Sequence, residues 1–537
     1  MNSQNLDFMH RRRLIACLGL AAAGAYLPAK AWQQSQVKGG AFSLGVASGA
    51  ATHDSVVLWT RLYPEHWQDR DKLTGPQAVR WEVADNESFA KLVQSGTVTA
   101  LPELAHSVHV DVRGLSPDRW YFYRFRTGEA VSRTGRTRTF AQPGSPTDRL
   151  RLAYASCQKW EDGYFSAYDH MHRDQPDAVV FLGDYLYEYP GNSSKVRVPG
   201  GGWVVTLAEY RRRHALYKGD SSLQAMHAAV PWWVTWDDHE VQNDYAGLGP
   251  GDGGPPGWQS IDFAQRRAAA YQAYYEHMPV RAGDFAQTLL TGKSGRLQMY
   301  GQFQIGNLVS LNLLDTRQYR DAQVCTKDGK GGSGMVDPDQ CPAWDDPTRS
   351  LLGATQEQWL DQRLAQTTQP NAPRWNLIGQ QTLFCPRDLR PGPQRFFWND
   401  GWDGYPAARH RLLQSLQNHK VPNAVLLGGD VHENWVGHVM SAQATANAEP
   451  LAVEFCGTSI TSKSGRGNER LPTVLAENPH FVFADVERKG YGLLDITHKL
   501  LTTHLRVVDD VTQAKTHIET LAAFEVEAGR SRIQKTA

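Results

Sequence analysis

Four apolar runs in this chain each end in side chains that bind metal ions. Arg151-Leu-Ala-Tyr-Ala-Ser ends at Cys157, and Val179-Val-Phe-Leu ends at Gly183-Asp-Tyr-Leu-Tyr. Trp232-Trp-Val-Thr ends at Trp236-Asp-Asp-His-Glu, and Val425-Leu-Leu ends at Gly428-Gly-Asp-Val-His. Short apolar runs bounded by turn residues read as buried strands. Open α/β sheets place ligands outside the carboxyl ends of their strands. The four ends are therefore expected to converge on one polynuclear metal site.

The donor types divide that site in two. Asp184 is the natural bridging carboxylate. Tyr187 offers a hard phenolate suited to Fe³⁺, Cys157 adds a thiolate, and His432 completes the shell through an imidazole nitrogen. A bound metal would hold the thiol as thiolate. The other half is richer in oxygen, with Asp238, Asp430, the second oxygen of Asp184 and either Gln381 or Asn243. Oxygen donors suit Ca²⁺, Mg²⁺ or Mn²⁺ better than Zn²⁺. Each residue also has a plainer reading. Cys157 alone is a buried thiol, and Tyr185 or Tyr189 shares the turn with Tyr187. Glu240 orients a neighbour, and Asn243 divides evenly between a turn residue and a ligand for an additional Ca²⁺. Gln380 is an alternative to Gln381.

These ligands need a scaffold. From about 150 onward, strand-like runs alternate with helical patterns at Phe165 to Arg173, Asp262 to His277 and Ala407 to His419, which argues an α/β domain. Thr355, with Gln358 three residues on, reads as a helix N-cap. Residues 40–145 read as all-β, with strands at Ser55 to Leu62, Ala78 to Val83, His106 to Val112 and Trp120 to Arg126. They have the pattern of a fibronectin-like sandwich and carry no ligand cluster. The break Gln142-Pro-Gly-Ser-Pro-Thr separates this β domain from a catalytic domain over 150–525.

Residues 1–31 read as an export signal. Arg11-Arg-Arg precedes an apolar stretch from Leu14 to Tyr26, and Ala29-Lys-Ala fits a cleavage site. An ordinary secretory signal is the plainer reading. The paired arginines favour the twin-arginine export machinery, which carries proteins already folded. The apolar stretch is too short to span a bilayer, and no later one is long enough. The expected location is periplasmic or secreted. The whole chain has 56 basic and 56 acidic residues; without Asp7 and the four basic residues of the signal it has 52 against 55, a net charge of −3 with His neutral. No basic stripe marks a nucleic-acid surface. In an oxidising compartment, Cys325 and Cys341 flanking a Gly-rich stretch read as a disulfide. Cys385 and Cys456 are open between buried thiols and a second bridge.

The order of the motifs resembles the metallophosphoesterases, most closely the PhoD-type alkaline phosphatase family. The resemblance rests on Ala155-Ser-Cys-Gln, Gly183-Asp-Tyr-Leu-Tyr-Glu, Trp236-Asp-Asp-His-Glu-Val-Gln-Asn-Asp-Tyr-Ala-Gly, Leu314-Asp-Thr-Arg-Gln-Tyr-Arg, Ile378-Gly-Gln-Gln and Gly429-Asp-Val-His. It implies an α/β sandwich of two β-sheets flanked by helices, holding Fe³⁺ and one or two Ca²⁺ ions. The wider superfamily usually has Asp at Cys157, Asn at Asp238 and His at Gln381 and Asp430. These exchanges favour oxygen donors at the second metal. Two cations about 3.5–4 Å apart would share a hydroxide and clamp a phosphate ester for in-line attack. His239 is then expected to donate a proton to the leaving group or to stabilise its charge. Arg317, with Arg320 second, is expected to neutralise phosphoryl oxygens, unless it is a surface ion-pair partner. The substrates implied are phosphate monoesters, diesters or both. The alternatives are a phospholipase D-like diesterase acting on lipid headgroups or cell-wall polymers, and a non-catalytic, metal-stabilised binding protein.

Overall fold

A computed structural model describes residues 40–64, 73, 75–191, 195–281, 298–326, 331–441, 448–465 and 467–536. The expected export signal, 1–31, lies outside them. The chain forms two compact units. One takes in residues up to Thr139 with Thr206–Trp232 and Arg267–Gln298; the other comprises Phe140–Val205, Trp233–Arg266 and Met299–Ala537.

In the first unit, Val46–Gly49, Ser55–Arg61 and Ser107–Arg113 pair antiparallel. Leu92–Ala100, Gln77–Ala84 and Trp120–Thr127 form a second antiparallel set, and Ala130–Val131 and Gly135–Arg138 also pair with Trp120–Thr127. Two helices from later in the chain belong to this unit, Leu207–Lys218 and Ser221–Ala229. The second of them lies against Val46–Gly49 and Gly135–Arg138. Their segment falls inside the span 150–525 expected for the catalytic domain, yet it packs with the β-strands.

The second unit holds the ligand-bearing runs. Strand β1 (Arg149–Ala155) pairs in parallel with β2 (Ala178–Phe181), and β3 (Trp232–Val234) lies on the far side of β2. Lys489–Thr497, Leu500–Val508, Ile518–Glu527 and Ile533–Lys535 extend this sheet antiparallel from the other edge of β1. The second sheet has a parallel centre of β4 (Val309–Leu313), β5 (Trp375–Gly379), β6 (Ala424–Gly428) and β7 (Ala452–Cys456). Every residue of β2, β4, β5, β6 and β7 is buried. Parallel strands covered on both faces read as continuous apolar runs, which is why β2 and β6 were visible in the sequence. The two sheets face each other across Phe455, Phe483 and Phe524, with ring centroids of Phe524 6.3 and 5.6 Å from the other two. At the carboxyl ends the approach is closer, and a Cβ added at Gly379 would meet Leu182 at 3.4 Å.

Helices Gly353–Leu364 and Pro406–Asn418 cover the outer face of the second sheet, packing Leu360, Leu364, Leu412 and Leu416 with Ile378 and Leu426. The first helix begins at Gly353, two residues before the expected cap Thr355. Leu352 stands at the cap position, and the Ser350 hydroxyl just before it accepts from the amides of Leu352 at 3.2 Å and Gly353 at 2.7 Å.

Cys325 and Cys341 are joined, with Cα atoms 6.1 Å apart, while Cys157, Cys385 and Cys456 are buried free thiols. The bridge closes a loop with a separation of 16 residues. Replacing both cysteines by Ser should lower the unfolding free energy by about 2–3 kcal/mol, from the entropy returned to the unfolded chain. Thermal melts followed by circular dichroism check this. An unchanged transition would mean that the bridge adds nothing to stability.

Candidate metal centre

The four strand ends meet. One ligand atom each from Cys157, Asp184 and His432 lies within 4.8 Å of the others, and the same holds for Asp184, Asp237, Asp238 and Asp430, and for Asp184, Asp238 and His239. Asp184 belongs to all three groups. Tyr187 joins the first, its hydroxyl donating to Asp184 Oδ2 at 2.8 Å and standing 3.1 Å from His432 Nε2.

Backbone strain marks the same residues. Cys157, Asp184, Asp430 and His432 have φ of 58°, 57°, 64° and 58°. The left-handed region costs an L-residue about 1–2 kcal/mol, so surrounding contacts must impose it. The amide of Cys157 donates to Gly183 O at 3.1 Å and that of Gln158 to Asp184 O at 3.1 Å, tying the ends of β1 and β2 together. Buried Glu240 accepts from the amides of Asp184 at 3.3 Å, Tyr185 at 2.7 Å and Asp237 at 2.9 Å, tying β2 to β3. Gly183, at φ 111°, permits the approach, since a Cβ there would lie 2.5 Å from Asp237 Cβ.

Burial first, then neighbouring carboxylates, hold the Asp184 and Asp237 carboxyls well above their ordinary range, although His239 and Arg317 oppose this. Burial pushes Asp430 to about 6, against the pull of Arg317. Burial and the charges of Asp184 and Asp430 push the Cys157 thiol well up. Burial and the Lys489 ammonium depress His432 to about 3, so its imidazole is neutral. His432 Nδ1 stands 3.0 Å from Lys463 O and donates to it, which leaves Nε2 as the lone-pair nitrogen facing the cluster.

Asp184 Oδ1, Asp237 Oδ2 and Asp238 Oδ1 are buried and accept no hydrogen bond among the described residues. Buried polar atoms of native proteins are almost always partnered. Converging carboxylate oxygens, a thiol and a lone-pair imidazole nitrogen fit two adjacent cations sharing Asp184.

Several expected site residues stand elsewhere. Gln381 spends its amide on the scaffold, donating to Thr235 Oγ1 at 2.8 Å, Trp236 O at 2.9 Å and Leu314 O at 2.8 Å, and accepting from Thr316 N at 3.2 Å. It braces the ends of β3, β4 and β5. The oxygen of Gln380 is likewise taken, by Thr382 N and Trp402 Nε1 at 3.0 Å each. Asn243 pairs with Tyr189 at 2.8 Å and Asp252 at 2.5 Å. Arg317 is neither on the surface nor open to a phosphate. It is fully buried, its Nε donates to Asp237, and Nη1 and Nη2 hold Asp400 at 2.9 and 2.6 Å. Its Nη2 is 3.6 Å from Asp238 Oδ1. Arg320 is also turned to Asp400, at 2.9 Å.

Three residues of the site went unassigned in the sequence. Asp237 joins the oxygen-rich group; its signal was its place beside Asp238. Asp400, the counter-ion of Arg317 and Arg320, follows the short strand Phe397–Trp398 and carries no motif. Glu188 follows Tyr187 directly and accepts from His239 Nδ1 at 2.7 Å and from Asn243 N at 2.8 Å. Burial opposes the charge of His239, but Asp238, Glu188 and Asp184 overcome it and keep the imidazolium well above its ordinary pKa. With Nδ1 committed to Glu188, Nε2 is the atom free to serve the cluster.

A family model described as PhoD-like phosphatase matches residues 152–505, and one described as PhoD-like phosphatase, N-terminal domain, matches residues 28–141. Alkaline phosphatase D of Bacillus subtilis (strain 168) is 41% identical over 504 residues, covering 92% of this chain and 82% of that protein. A solved structure titled "Structure of PhoD" superposes with a TM-score of 0.84 at 39% identity, covering 95% of this chain and 94% of the other.

Gly183→Ala should push the Asp184 turn away from Asp237 and empty the site. Elemental analysis of the purified variant should find most of the bound metal gone; full loading would show that the close approach is dispensable. A second expectation concerns pH. Asp184, Asp237 and Asp430 have folded pKa values above the ordinary 3.8. Between about 4 and 6 these three groups of the folded, metal-free chain therefore keep protons that they have lost in the unfolded chain, and their contribution to stability falls as pH rises. Metal replaces those protons. The gap in melting temperature between metal-loaded and chelated protein should widen from pH 4 to pH 6; a constant gap would contradict this.

Proposed function

Because this chain belongs to the PhoD-like phosphatase family, we propose that it is an exported, metal-dependent phosphoesterase acting on phosphate monoesters, diesters or both. The observation that carries this reading is the pair of adjoining donor clusters sharing Asp184, with His239 at their edge. Cys157, Asp184, Tyr187 and His432 would hold one cation, and Fe³⁺ suits the thiolate and phenolate. Asp184, Asp237, Asp238 and Asp430 would hold the other, and Ca²⁺ suits an all-oxygen set. When bound, such cations supply Lewis acidity toward phosphoryl oxygens and lower the pKa of a water.

The rest of the chemistry belongs to the chain's own side chains. Glu188 fixes the His239 ring through Nδ1, so that the proton on Nε2 faces the cluster. His239 is 7% exposed and lies against Tyr187, with ring centroids 4.1 Å apart and the rings tilted by 36°, which limits its rotation. It can hand that proton to the leaving oxygen as the ester bond breaks. Arg317 acts from behind, keeping Asp237 and Asp238 in place and partly neutralised. A purely structural metal site would have no use for a charged, oriented histidine at its edge, which argues against a non-catalytic binding role.

Export rests on the twin-arginine pattern at Arg11 to Arg13, and the Cys325–Cys341 bridge fits an oxidising periplasmic or extracellular location. Among the described residues no helix is long and apolar enough to cross a membrane.

Hydrolysis of p-nitrophenyl phosphate and its bis ester by the metal-loaded protein tests the reading; inactivity on both overturns it, and their ratio separates monoesterase from diesterase. His239→Ala should lower kcat by about 10²–10⁴-fold with metal content retained. Full activity would remove His239 from the mechanism.

A further inference from the structure

The burial of Arg317 leaves substrate charge to be met by another group. Arg317 and Arg320 are spent on Asp237 and Asp400. Lys489 is buried and donates to His432 O at 2.7 Å. Lys195 pairs with Asp162 at 2.8 Å. Lys159 differs from all four. It lies two residues after Cys157, is half-buried, and its Nζ stands 5.1 Å from the ring centroid of Tyr187 and 5.0 Å from that of Tyr189. Those same rings flank His239, with centroids 4.1 and 5.2 Å from its imidazole.

The ammonium therefore sits on the side of the centre where His239 serves the leaving group. Asp162, which feels the charge of Lys159, has its oxygens on Lys195 at 2.8 Å and on the Lys463 amide at 3.3 Å. Tyr189 turns its hydroxyl to Asn243 at 2.8 Å and presents its ring to Lys159. A cation held over two aromatic faces keeps a fixed position and retains its donors for an incoming anion.

We infer that Lys159 is a specificity-determining residue that contacts a second anionic group on the leaving portion of the substrate. The preferred substrates are then phosphate esters whose alcohol carries a carboxylate or a further phosphoryl group. This rests on the phosphoesterase reading above.

The test compares phenyl phosphate with 4-carboxyphenyl phosphate, by phosphate release from the metal-loaded full chain and its Lys159→Ala and Lys159→Arg variants. In Lys159→Ala, the ratio of kcat/KM for the carboxylated over the plain ester should fall about tenfold, mainly through KM, as expected for losing a charge-assisted contact. Lys159→Arg should recover most of that ratio. For the parent, KM of the carboxylated ester should rise with ionic strength more steeply than in Lys159→Ala. Equal losses on both esters, an unchanged ratio, or a loss of bound metal in Lys159→Ala would each overturn the assignment. If the parent protein hydrolyses neither ester, the phosphoesterase reading itself fails, and the role of Lys159 falls with it.

Discussion

Mutual repulsion among buried carboxylates is the constraint around which the centre is built. Asp184, Asp237 and Asp238 are buried, and half-buried Asp430 crowds against them. Burying isolated charge is costly unless it is paired or coordinated. The protein meets part of the demand with two fixed cations, Arg317 and His239. Asp238 feels both and is held below the ordinary carboxylate range, while Asp184, Asp237 and Asp430 remain above it. The remaining demand is what metal ions answer. A lysine could not replace Arg317, because only a planar fork can hold both oxygens of Asp400 and reach Asp237 with a third nitrogen.

Holding repelling groups together needs a scaffold that does not yield. The ligands follow buried strands of two facing sheets, and the backbone turns sharply at each end. Gln381 and Glu240 are the braces. One spends four hydrogen bonds on strand ends and the other accepts three amides. Neither side chain is directed to a metal, yet the positive φ of Asp184 depends on contacts of this kind. A polar side chain near a metal centre is therefore not a ligand by proximity alone.

This explains what could be read from the sequence. Cys157, Asp184, Tyr187, Asp238, Asp430 and His432 were legible because parallel strands buried on both faces leave continuous apolar runs, and metal donors at their ends interrupt a pattern that is otherwise uniform. The capping box that the structure has at Thr206, with Glu209 accepting from Thr206 N at 2.8 Å, was not read from the sequence, and the cap that was read, at Thr355, lies inside its helix. The roles of Arg317, Gln381 and Asn243 were not legible. Each depends on which neighbour a long or amphoteric side chain meets in space, and Asp400, the partner that decides the orientation of Arg317, lies 83 positions away. The C-terminal strands Leu500–Val508 and Ile518–Glu527 were missed because about half of their residues are not buried and dilute the apolar signal.

Asp184 couples the two halves of the centre. Its Oδ2 meets the Tyr187 hydroxyl at 2.8 Å and stands 4.0 Å from His432 Nε2, while its Oδ1 accepts nothing. The same carboxylate is a member of the oxygen-rich group. A cation held in either position would withdraw charge from Asp184 and ease the repulsion that Asp237, Asp238 and Asp430 feel. Filling one position therefore alters the electrostatics of the other through a single shared side chain. The strained backbone at Asp184 holds that side chain where both positions can use it. His239, oriented by Glu188, feels the same carboxylate, so the hold on its proton would also depend on how much of Asp184's charge bound cations took.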